Sequence, residues 1–173
     1  REALRAAGRP VPEGEDLEAL IRAKTEAFEA EMRAGLTPVP GAAECVHRLA
    51  GYPRAVCSGA LRSEIEPTLA SLGIEKAMLT VVAADDVARS KPDPESYDLA
   101  RRRLAEALGQ DLDPAACVAI EDTPTGVASA RSAGLYVVGL ALDGGAGPDG
   151  AHTAVSALEE VTPELLGRLL AAA

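Results

Sequence analysis

The chain has 173 residues, of which 47% are apolar and 25% are charged, and this composition is typical of a globular protein and not of a disordered one. Its net charge of −10, and its single Phe, three Tyr and no Trp, argue against nucleic-acid binding, which needs clustered cations and aromatic stacking surfaces. No apolar run approaches the about 20 residues that a membrane span needs. The three cysteines are odd in number and widely spaced, as expected of free thiols in a reducing compartment. We therefore predict a cytoplasmic protein with neither a nucleic-acid nor a membrane partner.

The chain begins with a helical pattern that is separated from the rest by a hinge. Residues 15–34 place Leu17, Ile21, Phe28 and Met32 on one stripe at helical spacing, which predicts an amphipathic helix. The segment LTPVPGA follows, and its prolines forbid a helix. We therefore predict two parts, residues 1–37 and residues 38–173.

After the hinge, short apolar runs alternate with helical patterns. The runs predict strands at 54–57, 80–83, 117–120, 135–140 and 153–155. The helical patterns lie at 42–50, 60–72, 94–108, 124–133 and 163–171. This alternation predicts an α/β fold with a doubly wound parallel sheet, in which ligands bind beyond the carboxyl ends of the strands.

Polar side chains stand where three of these strands end. Ser58 and Gly59 follow the first strand, and Glu121 and Asp122 end the third in the stretch VAIEDTPTG. Lys91 follows the second strand after a short loop. Together they offer a hydroxyl and a helix N-terminus for phosphoryl oxygens, a lysine to offset charge, and carboxylates for a hard cation such as Mg²⁺.

Each of these residues also has a purely structural interpretation. Ser58 is a common type of helix N-cap, and Lys91 alone fits a solvated loop lysine. Asp85 and Asp86, after the second strand, fit turn residues better than ligands. Asp122 or Thr123 can cap the helix that begins at Pro124, but capping explains only one of the two adjacent acids.

The order of these motifs resembles the haloacid dehalogenase superfamily. The segments that carry the resemblance are LTPVPGA, then Ser58, then KPDPESY with Lys91, and then IEDTPTGVASARSAG. They are most similar to the branch of phosphatases and β-phosphoglucomutase-like proteins that have a helical cap. The resemblance implies that Ser58, Gly59 and Lys91 bind the transferred phosphoryl group, and that Glu121 and Asp122 position Mg²⁺. It also implies a Rossmann-like core over 38–173, a remaining part of a cap over 1–37, and a small phosphorylated metabolite as substrate.

The motif with which this family attacks phosphate is not found at a strand end in this sequence. In the family, a D-x-D at the end of the first core strand supplies the nucleophile that forms an aspartyl-phosphate. The single D-x-D here, Asp111 to Asp113, follows a helix end and precedes Pro114. In the family the missing strand lies between the strands that here end at Cys57 and Ile120, so we expect a gap there. An upstream segment of roughly 30–50 residues, or a strand from another chain, would fill it, and the 173 residues alone are expected to be inactive.

Two other interpretations stay open at this stage. A response-regulator receiver combines acids, a hydroxyl and a lysine, but its acid pair precedes its lysine, the reverse of the order here. A non-catalytic regulatory or interaction protein on the same fold remains the main alternative. Lys24, Arg22 and Arg33 on the first helix are candidate substrate contacts, but solvated surface charge is the favoured explanation for them. His47 and His152 receive no role.

Overall fold

The computed structural model describes residues 10, 14–34, 37–142 and 144–171. The chain divides into two compact units, residues 1–37 and 38–173. Helix α1 of the first unit spans Gly14–Ala34. Of the predicted stripe, Leu17 and Phe28 are half-buried, and the side chains of Ile21 and Met32 lie outside the described residues. The interpretation of this unit as part of a cap stays a prediction.

The cations that were candidate substrate contacts lie on α1. Arg22 forms an ion pair with Glu18 at 3.9 Å, and both side chains are exposed. The side chains of Lys24 and Arg33 lie outside the described residues.

The second unit alternates strands and helices in the predicted order. Its strands are β1 Ala55–Cys57, β2 Thr80–Val82, β3 Val118–Glu121, β4 Tyr136–Leu140 and β5 Thr153–Val155. Its helices are α2 Ala42–Arg48, α3 Arg62–Ser71, α4 Glu95–Leu108, α5 Pro124–Ser132 and α6 Pro163–Ala171. Short 3-10 turns occupy Glu75–Ala77, Ala84–Asp86, Pro114–Ala116 and Leu158–Glu160.

All the strand pairs of this unit are parallel, which confirms the predicted α/β class. β1 pairs with β2 so that Cys57 lies opposite Val82. β3 pairs with β4, and β4 pairs with β5, which gives a second sheet of three strands.

Helices cover both faces of the three-stranded sheet. Successive side chains of β4 point to opposite faces, and each face packs against different helices. Val137 packs with Ala130 and Leu135 near α5, whereas Val138 packs with Leu49 and Leu166 near α2 and α6. This arrangement is the doubly wound pattern that the continuous apolar runs predict.

β1 and β3 belong to different sheets, so the predicted gap between them is present. An apolar cleft of about 320 Å³ separates them, and its lining includes Ala55 and Cys57 of β1 and Val118 and Ile120 of β3. Ile120 is 37% exposed although it lies within a strand. The facing edges of two parallel sheets are therefore separated by an open apolar groove.

The three cysteines are free thiols, as their odd number and wide spacing predicted. Cys45 is buried, and Cys57 and Cys117 are half-buried. Burial raises the pKa of each thiol above its ordinary value. None of the helices in the described part of the chain is long and apolar enough to cross a membrane.

Candidate functional site

The ammonium of Lys91 connects the carboxyl ends of β1 and β3. Its Nζ forms an ion pair with Oε1 of Glu121, the last residue of β3, and donates to the backbone carbonyl of Cys57 at 3.1 Å. Glu121 is 8% exposed and the Lys91 side chain 16%. The solvated-loop interpretation of Lys91 is therefore wrong, because its charge is largely buried and paired.

Tyr97, which the rule for strand ends does not predict, is the third member of this cluster. Its Oη donates to Oε1 of Glu121 and accepts from Lys91 Nζ at 3.5 Å. Lys91 Nζ also lies 4.8 Å from the centre of the Tyr97 ring, within cation–π distance. The one sequence feature that could have indicated this contact is the segment KPDPESY, in which Tyr97 stands six residues after Lys91, at the start of α4.

The other carboxylate oxygen of Glu121 faces the first turn of α5. Thr123 Oγ1 donates to Oε2 of Glu121 at 3.4 Å and accepts from the backbone N–H of Gly126 at 3.1 Å. Thr123 is therefore the N-cap of α5, and Asp122 is not needed for capping. A Cβ added to Gly126 would overlap Oε2 of Glu121, so only glycine fits beside the carboxylate.

We expect the substitution Gly126→Ala to destabilise the protein by about 1–3 kcal/mol, because the added methyl group overlaps a carboxylate that cannot move without losing its partners. The measurement is the free energy of unfolding by urea denaturation. Gly167→Ala is the matched control, since Gly167 also lies in a helix and a Cβ there meets nothing within 4 Å. There we expect a gain of up to about 1 kcal/mol from helix propensity. Equal effects of the two changes would contradict the predicted overlap.

The proposed phosphate-binding residues follow β1. The hydroxyl oxygen of Ser58 accepts from the backbone N–H of Ala60 at 3.1 Å, which leaves the hydroxyl proton available for a ligand. Gly59 is exposed, and a Cβ there would meet nothing within 4 Å. Ser58 is not the N-cap of α3, because that helix begins at Arg62 and its N-cap is Leu61.

The helix N-terminus after Ser58 does not fit the predicted role in phosphate binding. The backbone N–H of Leu61 donates to Glu64 at 2.9 Å, and that of Arg62 donates to Asp85 at 3.1 Å. These N–H groups already bind carboxylates of the same chain. The expectation that the amino end of α3 binds phosphoryl oxygens is therefore wrong for these two groups.

Asp85 and Asp86 have the structural role that was expected of turn residues. Asp86 forms ion pairs with Arg62 at 2.6 Å and with Arg103 at 3.2 Å. The backbone N–H of Ala83 and then the two guanidinium groups lower the pKa of Asp86. These contacts join α3 and α4 to the end of β2.

Asp122 is the carboxylate of the candidate site that faces solvent. It follows Glu121 directly at the end of β3, and it is exposed whereas Glu121 is buried. Among the described residues, no group of three or more His, Cys, Asp or Glu side chains could hold a metal ion. Glu121 and Asp122 can therefore supply only part of the ligand set of a cation.

The remaining motif residues lie away from these strand ends. Asp113 accepts from the backbone N–H of Ala115 at 2.9 Å and caps the turn before β3, so the D-x-D motif precedes the amino end of that strand. His152 Nδ1 accepts from the backbone N–H of Val137 at 3.0 Å, and burial lowers its pKa. Both residues have structural roles.

Comparisons with known proteins place phosphatases among the relatives of this chain. The chain is 36% identical over 112 residues to validoxylamine A 7'-phosphate phosphatase of Streptomyces hygroscopicus subsp. limoneus, covering 64% of this chain and 49% of the relative. It is 34% identical over 128 residues to fructose-1-phosphate phosphatase YqaB of Escherichia coli (strain K12), covering 73% and 64%. The chain thus spans about half the length of the first of these relatives.

The fold is similar to that of CbbY from Rhodobacter sphaeroides, a structure solved in complex with phosphate. The TM-score is 0.70 at 28% identity, covering 87% of this chain and 68% of that one. The family model of haloacid dehalogenase-like hydrolases matches residues 2–134, which include both the lysine and the adjacent acids. The chain therefore belongs to the haloacid dehalogenase-like hydrolase family.

Proposed function

We propose that the protein is a Mg²⁺-dependent phosphoric monoester hydrolase, or a phosphomutase of the same chemistry, that acts on a small phosphorylated metabolite. The observation that carries this proposal is the Lys91–Glu121 pair, which brings the ends of β1 and β3 together beside Ser58 and Asp122. The names of two relatives, a validoxylamine A 7'-phosphate phosphatase and a fructose-1-phosphate phosphatase, support a phosphate monoester as the substrate.

In this proposal, residues of the described chain bind the phosphoryl group. The Ser58 hydroxyl and the backbone N–H of Gly59 donate to its oxygens from the end of β1, and Lys91 offsets its negative charge. These groups stabilise charge that increases in the transition state, which is the main contribution a protein makes to phosphoryl transfer. Lys91 is suited to this role because Glu121 and the Cys57 carbonyl hold its ammonium in place.

The two acids fit part of a Mg²⁺ site. Mg²⁺ is commonly held by one or two carboxylates together with substrate phosphate and water. Asp122 is exposed and open to a cation, and the buried Glu121 stands beside it. When bound there, Mg²⁺ would supply positive charge to the phosphoryl oxygens.

The nucleophile is proposed to come from a strand that is not among these 173 residues. The strand would lie in the cleft between β1 and β3, where its carboxyl end would meet Lys91 and place an Asp there to form an aspartyl-phosphate. Support comes from the apolar lining of the cleft, from the two strand edges that face it, and from the greater length of the relatives. A strand in that position would pair with both edges, which have no strand partner in the described part of the chain.

We expect the 173-residue chain alone to give no turnover of p-nitrophenyl phosphate with Mg²⁺, because it lacks the attacking carboxylate. The same chain extended by its upstream coding sequence should turn over the ester in Mg²⁺ and lose this activity in EDTA. The matched control is the extended chain with the first Asp of its D-x-D changed to Asn. Turnover by the 173 residues alone would overturn the placement of the nucleophile. An extended chain that stays inactive would favour the alternative of a non-catalytic regulatory or interaction protein.

A further inference from the structure

The hydroxyl of Tyr97 is a buried polar group that contacts both charged members of the site. Tyr97 lies in the first turn of α4, and its ring is 7% exposed. The ring packs in the core with Ala119, Val127 and Ala130 from β3 and α5. Its hydroxyl reaches Glu121 and Lys91 together. A ring held on this many sides has little freedom to move the hydroxyl away.

We propose that Tyr97 is a positioning residue whose hydroxyl fixes the carboxylate of Glu121 and, through it, the ammonium of Lys91. This inference rests on the proposed phosphatase function, because it assigns Tyr97 to the support of the residues that bind phosphate and cation there. Tyr97 itself contacts neither the substrate nor the metal in this arrangement.

The hydroxyl is needed because a buried carboxylate requires hydrogen-bond donors as well as an opposite charge. Lys91 supplies the charge, and Tyr97 supplies a neutral donor to the same oxygen, Oε1. Phenylalanine would fill the same volume in the core but would leave this oxygen with one donor fewer. The packing of the ring therefore explains an aromatic residue at position 97, and only the site explains its hydroxyl.

The surroundings of the Tyr97 hydroxyl favour its role as a hydrogen-bond donor to Glu121. Burial first, and then the negative charge of Glu121, raise the pKa of Tyr97 well above its ordinary value. The hydroxyl is therefore protonated at neutral pH, in agreement with the hydrogen bond that it donates to Glu121.

Glu121 is confined from two sides, so a change at Tyr97 affects its direction. Gly126 leaves just enough room on the side of Oε2, and Tyr97 and Lys91 bind Oε1. Without the hydroxyl, the carboxylate can turn about its last bond, and the ammonium that it binds moves with it. Removing a residue that hydrogen-bonds to a metal ligand, without binding the metal itself, typically changes metal affinity or activity by about 10- to 100-fold.

The test is the substitution Tyr97→Phe in the extended chain that carries its nucleophile. We expect kcat to fall about 10- to 100-fold and the Mg²⁺ concentration for half-maximal activity to rise, because both depend on the direction of Glu121. The KM for p-nitrophenyl phosphate should change less than kcat. The matched control is Tyr136→Phe, which removes a hydroxyl from the start of β4, where the ring packs against His152 with centroids 4.8 Å apart. Equal kinetics for Tyr97→Phe and the wild type would overturn the inference.

A second readout does not depend on activity. In the wild-type protein, proton NMR should show a slowly exchanging, downfield hydroxyl signal that is absent from Tyr97→Phe and retained in Tyr136→Phe. The ¹³Cε–¹Hε signal of Lys91, assigned with Lys91→Arg, should move in Tyr97→Phe toward the position of an exposed lysine. A wild-type protein without the protected hydroxyl proton, or a Lys91 signal that does not move, would contradict the inference.

The two readouts separate this inference from the proposed function. If the extended wild-type chain has no phosphatase activity, the proposed function fails, and the NMR signals still report whether Tyr97 holds Glu121 and Lys91. If the wild type is active and Tyr97→Phe matches it in kinetics or in the NMR signals, the inference fails and the proposed function stands.

Discussion

Replacing Lys91 with methionine is expected to destabilise the protein by about 3 kcal/mol and to reduce turnover of a phosphate ester at least about 100-fold. The stability effect arises because the change leaves the Glu121 carboxylate buried without its counter-charge. The Lys91 side chain is 16% exposed, which places the effect at the lower end for a broken buried ion pair. The activity effect arises because the phosphoryl group loses the one cationic side chain proposed to bind it. Urea denaturation and steady-state kinetics measure the two effects.

The double variant Lys91→Met/Glu121→Gln separates these two causes. It removes both charges, so the free energy of unfolding should return to within about 1–2 kcal/mol of the wild type. Activity should stay lost, since neither the cation nor the carboxylate is restored. Lys76→Met, at an exposed lysine in the turn Glu75–Ala77, is the control and should change stability by no more than about 0.5 kcal/mol. A Lys91→Met protein as stable as this control would show that the ion pair does not support the fold.

The order of the strands and helices follows from the sequence because it depends on local patterns. Each strand of the second unit lies within or next to a short apolar run, and Gly109 and Gly134 stand, in left-handed conformations, where the helical patterns around them end. The pairing of strands is not local in this sense. β1 pairs with β2 and not with β3. This choice of partner depends on what lies between the two sheets, and the residue pattern within either strand does not predict it.

The candidate site was predictable in part, for a related reason. Lys91 and Glu121 stand at strand ends, and the rule for parallel sheets brings such residues together without further information. Tyr97 lies inside a helix, where an aromatic residue at helical spacing is first explained by the core, and its ring is indeed packed there. Only the structure shows that its hydroxyl leaves the core and reaches the carboxylate. The amino end of α3 was wrongly assigned because the carboxylates that bind it, Glu64 and Asp85, come from one turn later and from another loop.

Replacing Asp122 with asparagine is expected to abolish Mg²⁺-dependent turnover without weakening the fold. Asp122 is exposed, and Thr123 provides the N-cap of α5, so the substitution removes no contact that stabilises the folded chain. Its free energy of unfolding should stay within about 0.5 kcal/mol of the wild type. Outer-shell partners change metal affinity by about 10- to 100-fold, so the loss of a carboxylate that binds the cation directly should exceed about 100-fold.

Calorimetric titration of the extended chain with Mg²⁺ measures this loss without relying on activity, and steady-state kinetics over a range of Mg²⁺ concentrations measures it through turnover. The matched control is Asp111→Asn, which changes an exposed aspartate of the D-x-D motif before the amino end of β3 and should leave both readouts at wild-type values. If Asp122→Asn binds Mg²⁺ as the wild type does, Asp122 is not a ligand. Thr123 is the helix cap, so such a result could not be explained by a capping role of Asp122. Glu121 would then be the one remaining carboxylate of the pair that could bind the cation. If Asp111→Asn instead lost activity, the D-x-D before β3 would be functional, and the nucleophile would not have to come from a strand in the cleft.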